Sequence, residues 1–305
     1  MASPAKGKTG LEPTLKRTCD KQLSYRDEGP RDGAAPTMLL VHGWGVSGAL
    51  FEEQIKGLSS RFRVVVPDLP GHGSSAAWPR GAPFAHLADR LAELVDELEL
   101  RDICLVGWSL GALAAWDLLS RHAEVEVSGL VTIDMVPRLL NDDGWPHGLR
   151  AGRDHRVFAR QIELMRTDWP RCVALFVPRI FAAAAPRRGQ LIGRAGAVAL
   201  RNEAQSMASV WQLMVEQDFR AVLPGIRLPA LVVAGEQSQL YGVAAAEWIA
   251  AQVPHAQLAV FGGSGHAPHL EQPEEFNQTL SDFADSLQTL RVPGPGRHAG
   301  TGMDN

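Results

Sequence analysis

A serine hydroxyl becomes a nucleophile when a histidine takes its proton and a carboxylate holds that histidine in place. The chain offers a candidate for each part. Ser109 stands in Gly107-Trp108-Ser109-Leu110-Gly111, directly after an apolar run ending at Val106 and directly before a helical pattern. As a bare pattern G-x-S-x-G is common, but between a strand and a helix it describes a tight turn that presents the serine oxygen at the end of a sheet. The Leu110 amide then lies at a helix start, where backbone N–H groups favour developing negative charge. A second amide is expected from Trp44 in His42-Gly43-Trp44-Gly45, whose glycines let backbone approach a ligand closely. The Trp44 indole is left to line a pocket, and His42 reads as a buried hydrogen-bonding residue. The base is expected to be His266, in the glycine-rich stretch Gly262-Gly263-Ser264-Gly265-His266. Nearby His269 reads as a surface or supporting residue.

These residues need a frame that brings distant loops together. Short apolar runs of strand length occur at Thr37–Val41, Arg63–Val66, Ile103–Val106, Gly129–Ile133, Ala230–Ala234 and Gln257–Phe261. Between them lie stretches with helical spacing, such as His86–Leu98 and Leu110–Arg121, and Glu271–Phe283 reads as a closing helix. Strand-then-helix alternation with continuously apolar strands predicts an α/β fold, a mostly parallel central sheet with helices on both faces. One interval breaks the rhythm: residues 137–218 hold no convincing strand but many large apolar groups at helical spacing, among them Trp145, Phe158, Trp169 and Trp211. We expect a helical cap there, set into a core of residues 21–136 and 219–290. Most of its apolar groups should fill its own interior, while Trp145 and Trp169 join Trp44 and Trp108 as candidate substrate contacts. Residues 1–20 and 291–305, polar and rich in Gly, Pro or basic groups, read as a disordered leader and tail.

The order of these motifs, with Asp68-Leu69-Pro70-Gly71-His72-Gly73-Ser74-Ser75 between the first two, resembles the α/β-hydrolase superfamily over roughly residues 22 to 290. Within it, HGWG, DLPGHGSS and GWSLG together are similar to the pimeloyl-ACP methyl ester esterases of biotin synthesis; the likeness covers the core motifs and not the cap. The resemblance implies an acid after Ala230–Ala234, in a G-x-x-D pattern. Here that stretch reads Gly235-Glu236-Gln237-Ser238, with a serine at the acid's place. A serine holds no permanent charge against an imidazolium, so another carboxylate is needed. Asp134, at the end of the strand after the serine turn, matches the acid position of certain dehalogenases and cofactor-free dioxygenases; Glu236 is the second candidate. On this reading Ser238→Ala should be nearly silent.

The 305 residues carry a formal net charge of −4, which gives no pointer to nucleic acid or to an anionic membrane surface. Cys19, Cys104 and Cys172 lack metal-binding spacing and leave at least one thiol unpaired, which suits a reducing compartment. No apolar run has bilayer-spanning length, and no signal-like block follows the N-terminal basic residues, so a cytoplasmic location is expected. The expected reaction is cleavage of a carboxylic ester of a small molecule through an acyl-enzyme, with no metal and no cofactor. Two alternatives stand beside it. A cofactor-free dioxygenase acting on a hydroxyquinolone would explain Asp134, although Trp108 and Leu110 flank the serine where such enzymes carry histidines. A ligand-binding homologue without catalysis would explain Ser238, although Ser109 and His266 are both present. Oligomeric state is not legible.

Overall fold

A computed structural model describes residues 15–33, 35–150 and 155–289. Eight strands form one sheet: β1 (Lys16–Arg17), β2 (Ser24–Glu28), β3 (Thr37–Val41), β4 (Val64–Pro67), β5 (Ile103–Trp108), β6 (Val127–Ile133), β7 (Ala230–Gly235) and β8 (Ala256–Phe261). Their spatial order is β1-β2-β4-β3-β5-β6-β7-β8. From β4 to β8 every pairing is parallel, while β1 and β2 are joined antiparallel to the edge. All six expected strands are present, within two residues at either end. Every position of β3, β4, β5 and β7 is buried, which requires cover on both faces of the sheet.

That cover comes from α1 (Glu52–Leu58), α2 (His86–Glu97), α3 (Leu110–Arg121), α8 (Val243–Gln252), the short α9 (Pro268–Glu271) and α10 (Pro273–Thr289). Between β6 and β7 the described residues form four more helices: α4 (His155–Thr167), α5 (Trp169–Ile180), α6 (Arg188–Ala199) and α7 (Ala204–Val215). The two ends of this insertion meet, with a bridge between Arg138 and Asp218 and a bond from Phe219 N–H to the Pro137 carbonyl (2.9 Å). Among the described residues, no helix is long and apolar enough to cross a membrane.

The antiparallel edge corrects the sequence reading. Residues 15–20, assigned above to a leader, include β1, and the Thr18 amide bonds the Leu23 carbonyl at 2.9 Å. The rest of the expected leader, 1–14, and the expected tail, 291–305, lie outside the described residues. Strand β2 reads Ser-Tyr-Arg-Asp-Glu, with no apolar run to betray it. It is buried through charge pairing: Asp27 receives Arg63 Nε at 2.9 Å and Arg31 at 2.5 Å, and these cations hold its carboxyl below the usual range against the opposing effect of burial.

Candidate active site

Ser109 occupies the single residue between β5 and α3, at φ 54° and ψ −117°. A non-glycine residue at positive φ is strained, and such strain persists only where surroundings dictate it. Here they do. A Cβ at Gly107 would lie 2.4 Å from the Gly111 carbonyl oxygen, and one at Gly111 would lie 2.1 Å from the Val41 oxygen. Only glycine fits at either place, so strand and helix press together and the turn between them projects Ser109. The His42–Gly45 loop lies against it, since a Cβ at Gly43 would sit 3.2 Å from the Ser109 Cβ.

His42 is fully buried and pins this loop. Its Nε2 accepts the Leu69 N–H (2.9 Å), which leaves Nδ1 to donate to the Gly43 carbonyl (2.8 Å). Burial drives its pKa down to about 4, so the ring is neutral. The ring of His72, 5.2 Å away, is likewise driven to about 3, chiefly by burial.

His266 is held from three sides. Its Nδ1 meets Asp134 Oδ2 at 2.7 Å, its amide donates to the Ile180 carbonyl at 2.8 Å, and its carbonyl accepts Trp108 Nε1 at 2.8 Å. An ionised Asp134 fixes the proton on Nδ1 and leaves Nε2 as the basic nitrogen. Asp134 itself sits at φ 42° just past β6, and its amide donates to the Val233 carbonyl at 2.8 Å. Its Oδ1 faces the Gly235 amide at 3.3 Å, and its Oδ2 also accepts the Ser238 hydroxyl at 2.7 Å. Ser238 Oγ in turn faces the amides of Leu240 and Tyr241, each at 3.3 Å. Glu236, the second candidate acid, is exposed.

Sequence reasoning passed over Glu271. Its two oxygens accept the amides of Ala182 and Gly265, each at 2.7 Å, and so tie the His266 loop to the end of α5. Burial nevertheless raises its pKa, the backbone donors opposing. Of the two readings of His269, the surface one is corrected: it is fully buried, with its ring 4.6 Å from Trp108 and 4.8 Å from Phe51.

A cavity of about 600 Å³ opens over Ser109 and His266, under the inserted helices. Trp44 and Trp108 are among its lining residues. The Trp44 indole is not free, however, for Nε1 donates to the Met207 carbonyl of α7 at 3.0 Å. Trp145 and Trp169 are not among the lining residues. Trp145 is buried against Trp248 (4.8 Å) and donates to the Arg138 carbonyl; Trp169 braces Trp44 (5.7 Å) from behind. The inserted wall is formed instead by faces of α4 and α5, with Trp211 and Met214 of α7. Phe158, Gln161 and Met165 recur along α4, and Cys172, Phe176 and Arg179 along α5. The i, i+3, i+4, i+7 spacing was a visible signal for these faces. Tyr241 also lines the cavity, its hydroxyl 3.3 Å from the Met135 sulfur.

The sequence profile of the Alpha/beta hydrolase family matches residues 38–279, and the chain belongs to that family. Among its relatives is a pimeloyl-[acyl-carrier protein] methyl ester esterase of Aromatoleum aromaticum, 33% identical over 257 residues, covering 81% of this chain and 97% of the relative. The enzyme of that name from Chromobacterium violaceum is 29% identical over 254 residues, 83% of this chain and 96% of the relative. Among solved structures, an esterase from Exiguobacterium antarcticum superposes with a TM-score of 0.80 at 24% identity, covering 90% of this chain and all of that one.

Proposed function

We propose that Ser109, His266 and Asp134 form the triad of a carboxylic ester hydrolase, with the amides of Trp44 and Leu110 as its oxyanion hole. The observation that carries this reading is the 2.7 Å contact of His266 Nδ1 with Asp134, made beside the strained Ser109 turn. Ser109 Oγ attacks the ester carbonyl carbon while its proton passes to His266 Nε2. The carbonyl oxygen becomes an oxyanion facing the two amides, and Asp134 stays ionised to offset the imidazolium. Collapse breaks the carbon–oxygen bond to the alcohol, which leaves with the proton from His266. Water then attacks the acyl-enzyme by the same route, releasing the acid and restoring Ser109. A well-placed oxyanion donor contributes roughly 10²–10³ in turnover.

The substrate is a small-molecule ester whose apolar acyl chain lies under a cap of residues 137–218 set into a core of 21–136 and 219–290. The acyl group is of the kind carried on an acyl-carrier protein, as in the names of the relatives. Charge supports that reading: α4 to α6 and the turn after them bear Arg156, Arg160, Arg166, Arg171, Arg179, Arg187, Arg188, Arg194 and Arg201 against Glu163, Asp168 and Glu203, in a chain of net charge −4. This excess of positive charge on the inserted helices would favour a partner of opposite charge. The three free thiols, of which Cys19 is exposed, suit action in the cytoplasm. The dioxygenase and binding-protein alternatives draw no support from relatives that are named as esterases.

A fluorophosphonate probe tests the nucleophile. Intact mass should show one adduct on the wild type and none on Ser109→Ala, with hydrolysis of a short p-nitrophenyl ester lost in parallel. Equal labelling of the variant overturns the assignment.

A further inference from the structure

The cap reaches the oxyanion loop through a side chain that no motif marks. Asn202 lies between α6 and α7 and is 6% exposed. Its Nδ2 donates to the Gly45 carbonyl at 2.9 Å and lies 3.4 Å from the Val46 carbonyl, and its Oδ1 accepts the Gly73 amide at 2.8 Å. A buried amide with donor and acceptor both engaged is costly to disturb.

The position it grips is the loose point of the loop. Gly45 sits at φ 74°, a conformation that glycine enters and leaves at little cost, so its carbonyl has no intrinsic reason to stay put. The residue before it is Trp44, whose amide must point at a reacting oxygen with little tolerance. Trp44 is anchored to the same part of the cap, through Nε1 and the Met207 carbonyl at 3.0 Å. Neighbouring Ala49 receives Arg194 from α6 at 2.8 Å. The loop is therefore held from the side opposite the sheet, by helices α6 and α7 and the turn joining them.

We propose that Asn202 is a positioning residue for the oxyanion hole: from the cap it fixes the Gly45 and Val46 carbonyls and thereby the direction of the Trp44 amide. The inference rests on the esterase reading above. It makes the cap a working part of the catalytic machinery as well as a substrate wall. Because the oxyanion exists in the transition state and not in bound ester, loss of Asn202 acts on kcat rather than on KM.

Asn202→Ala and Asn202→Asp test it together. An aspartate can still accept the Gly73 amide but has no hydrogen to donate to Gly45 and Val46, so it separates fastening of the loops from control of the oxyanion. Both variants should lose at least about tenfold in kcat on a short p-nitrophenyl ester, with KM within about threefold. Their affinity for a trifluoromethyl ketone, which Ser109 converts to a bound oxyanion, should fall in step. Should either variant fail to fold, Asn202→Ser supplies the same reading with a shorter donor, and an intermediate loss is expected. Wild-type kcat and ketone affinity in Asn202→Asp would overturn the inference while leaving the esterase reading intact. A wild-type protein that hydrolyses no ester would overturn both.

Discussion

Asp134 Oδ2 accepts two hydrogen bonds of 2.7 Å, one from His266 and one from Ser238. The first makes Asp134→Asn a severe change, since loss of the charge permits the wrong imidazole tautomer, and kcat should fall by about 10⁴ as in a measured triad. The second revises the expectation for Ser238. A hydroxyl donating to a charged acceptor contributes about 1.5–3 kcal/mol, so Ser238→Ala should lower kcat roughly tenfold instead of being silent. Exposed Glu236 should tolerate Gln without measurable loss. Steady-state kinetics of the three variants decide the matter, and near wild-type turnover in Asp134→Asn would place the acid elsewhere. The triad candidates were legible because each stands beside glycines or at a strand end, where sequence announces a turn. The Ser238 bond was not, because it joins residues just past the ends of neighbouring strands whose register no local pattern specifies.

At the level of elements, the inserted helices divide their aromatic residues between two tasks. Trp211 and Phe158 line the cavity, whereas Trp145, in the segment before α4, is buried against Trp248. Trp211→Ala should therefore shift the preferred acyl length toward longer chains, changing the ratio of kcat/KM between long and short esters by about tenfold or more. Trp145→Ala should leave that ratio unchanged and lower stability by roughly 3–5 kcal/mol, as large core deletions do. A chain-length series alongside urea unfolding separates the two. The strands were read well from sequence because apolar, β-branched runs buried on both faces leave little ambiguity. Strand β2 escaped because ion pairs bury it, and the division among tryptophans escaped because helical spacing alone does not say what a face touches.

For the whole molecule, three buried histidines, His42, His72 and His269, each with a pKa driven down chiefly by burial, set an acid limit. His42 takes up a proton near pH 6.5 when unfolded but only near about 4 when folded, and His72 near about 3. Between those values the unfolded chain binds more protons, so stability falls as pH drops below about 6.5 and His42's share is fully lost near about 4. For His42 alone that share is about 3 kcal/mol, at roughly 1.4 kcal/mol per pH unit. Urea midpoints should be level above pH 7 and decline from pH 6.5 to 5, before most carboxylates titrate. His72→Phe should make the decline shallower. A flat profile would mean that none of the three rings is kept neutral.

The meeting of Asp134 Oδ2 with Ser238 Oγ also bears on ancestry. One spot beside His266 is reached from two tethers, the ends of β6 and β7, which are adjacent in the sheet. A lineage moving its acid between them need not rebuild the histidine loop or the serine turn. A chain with aspartate at both 134 and 238 would crowd two carboxylates into one place, and one would keep its proton. Such an intermediate retains a working carboxylate at every step. Under the triad proposed above, the place of the acid is then set by the site, while either strand end could supply it.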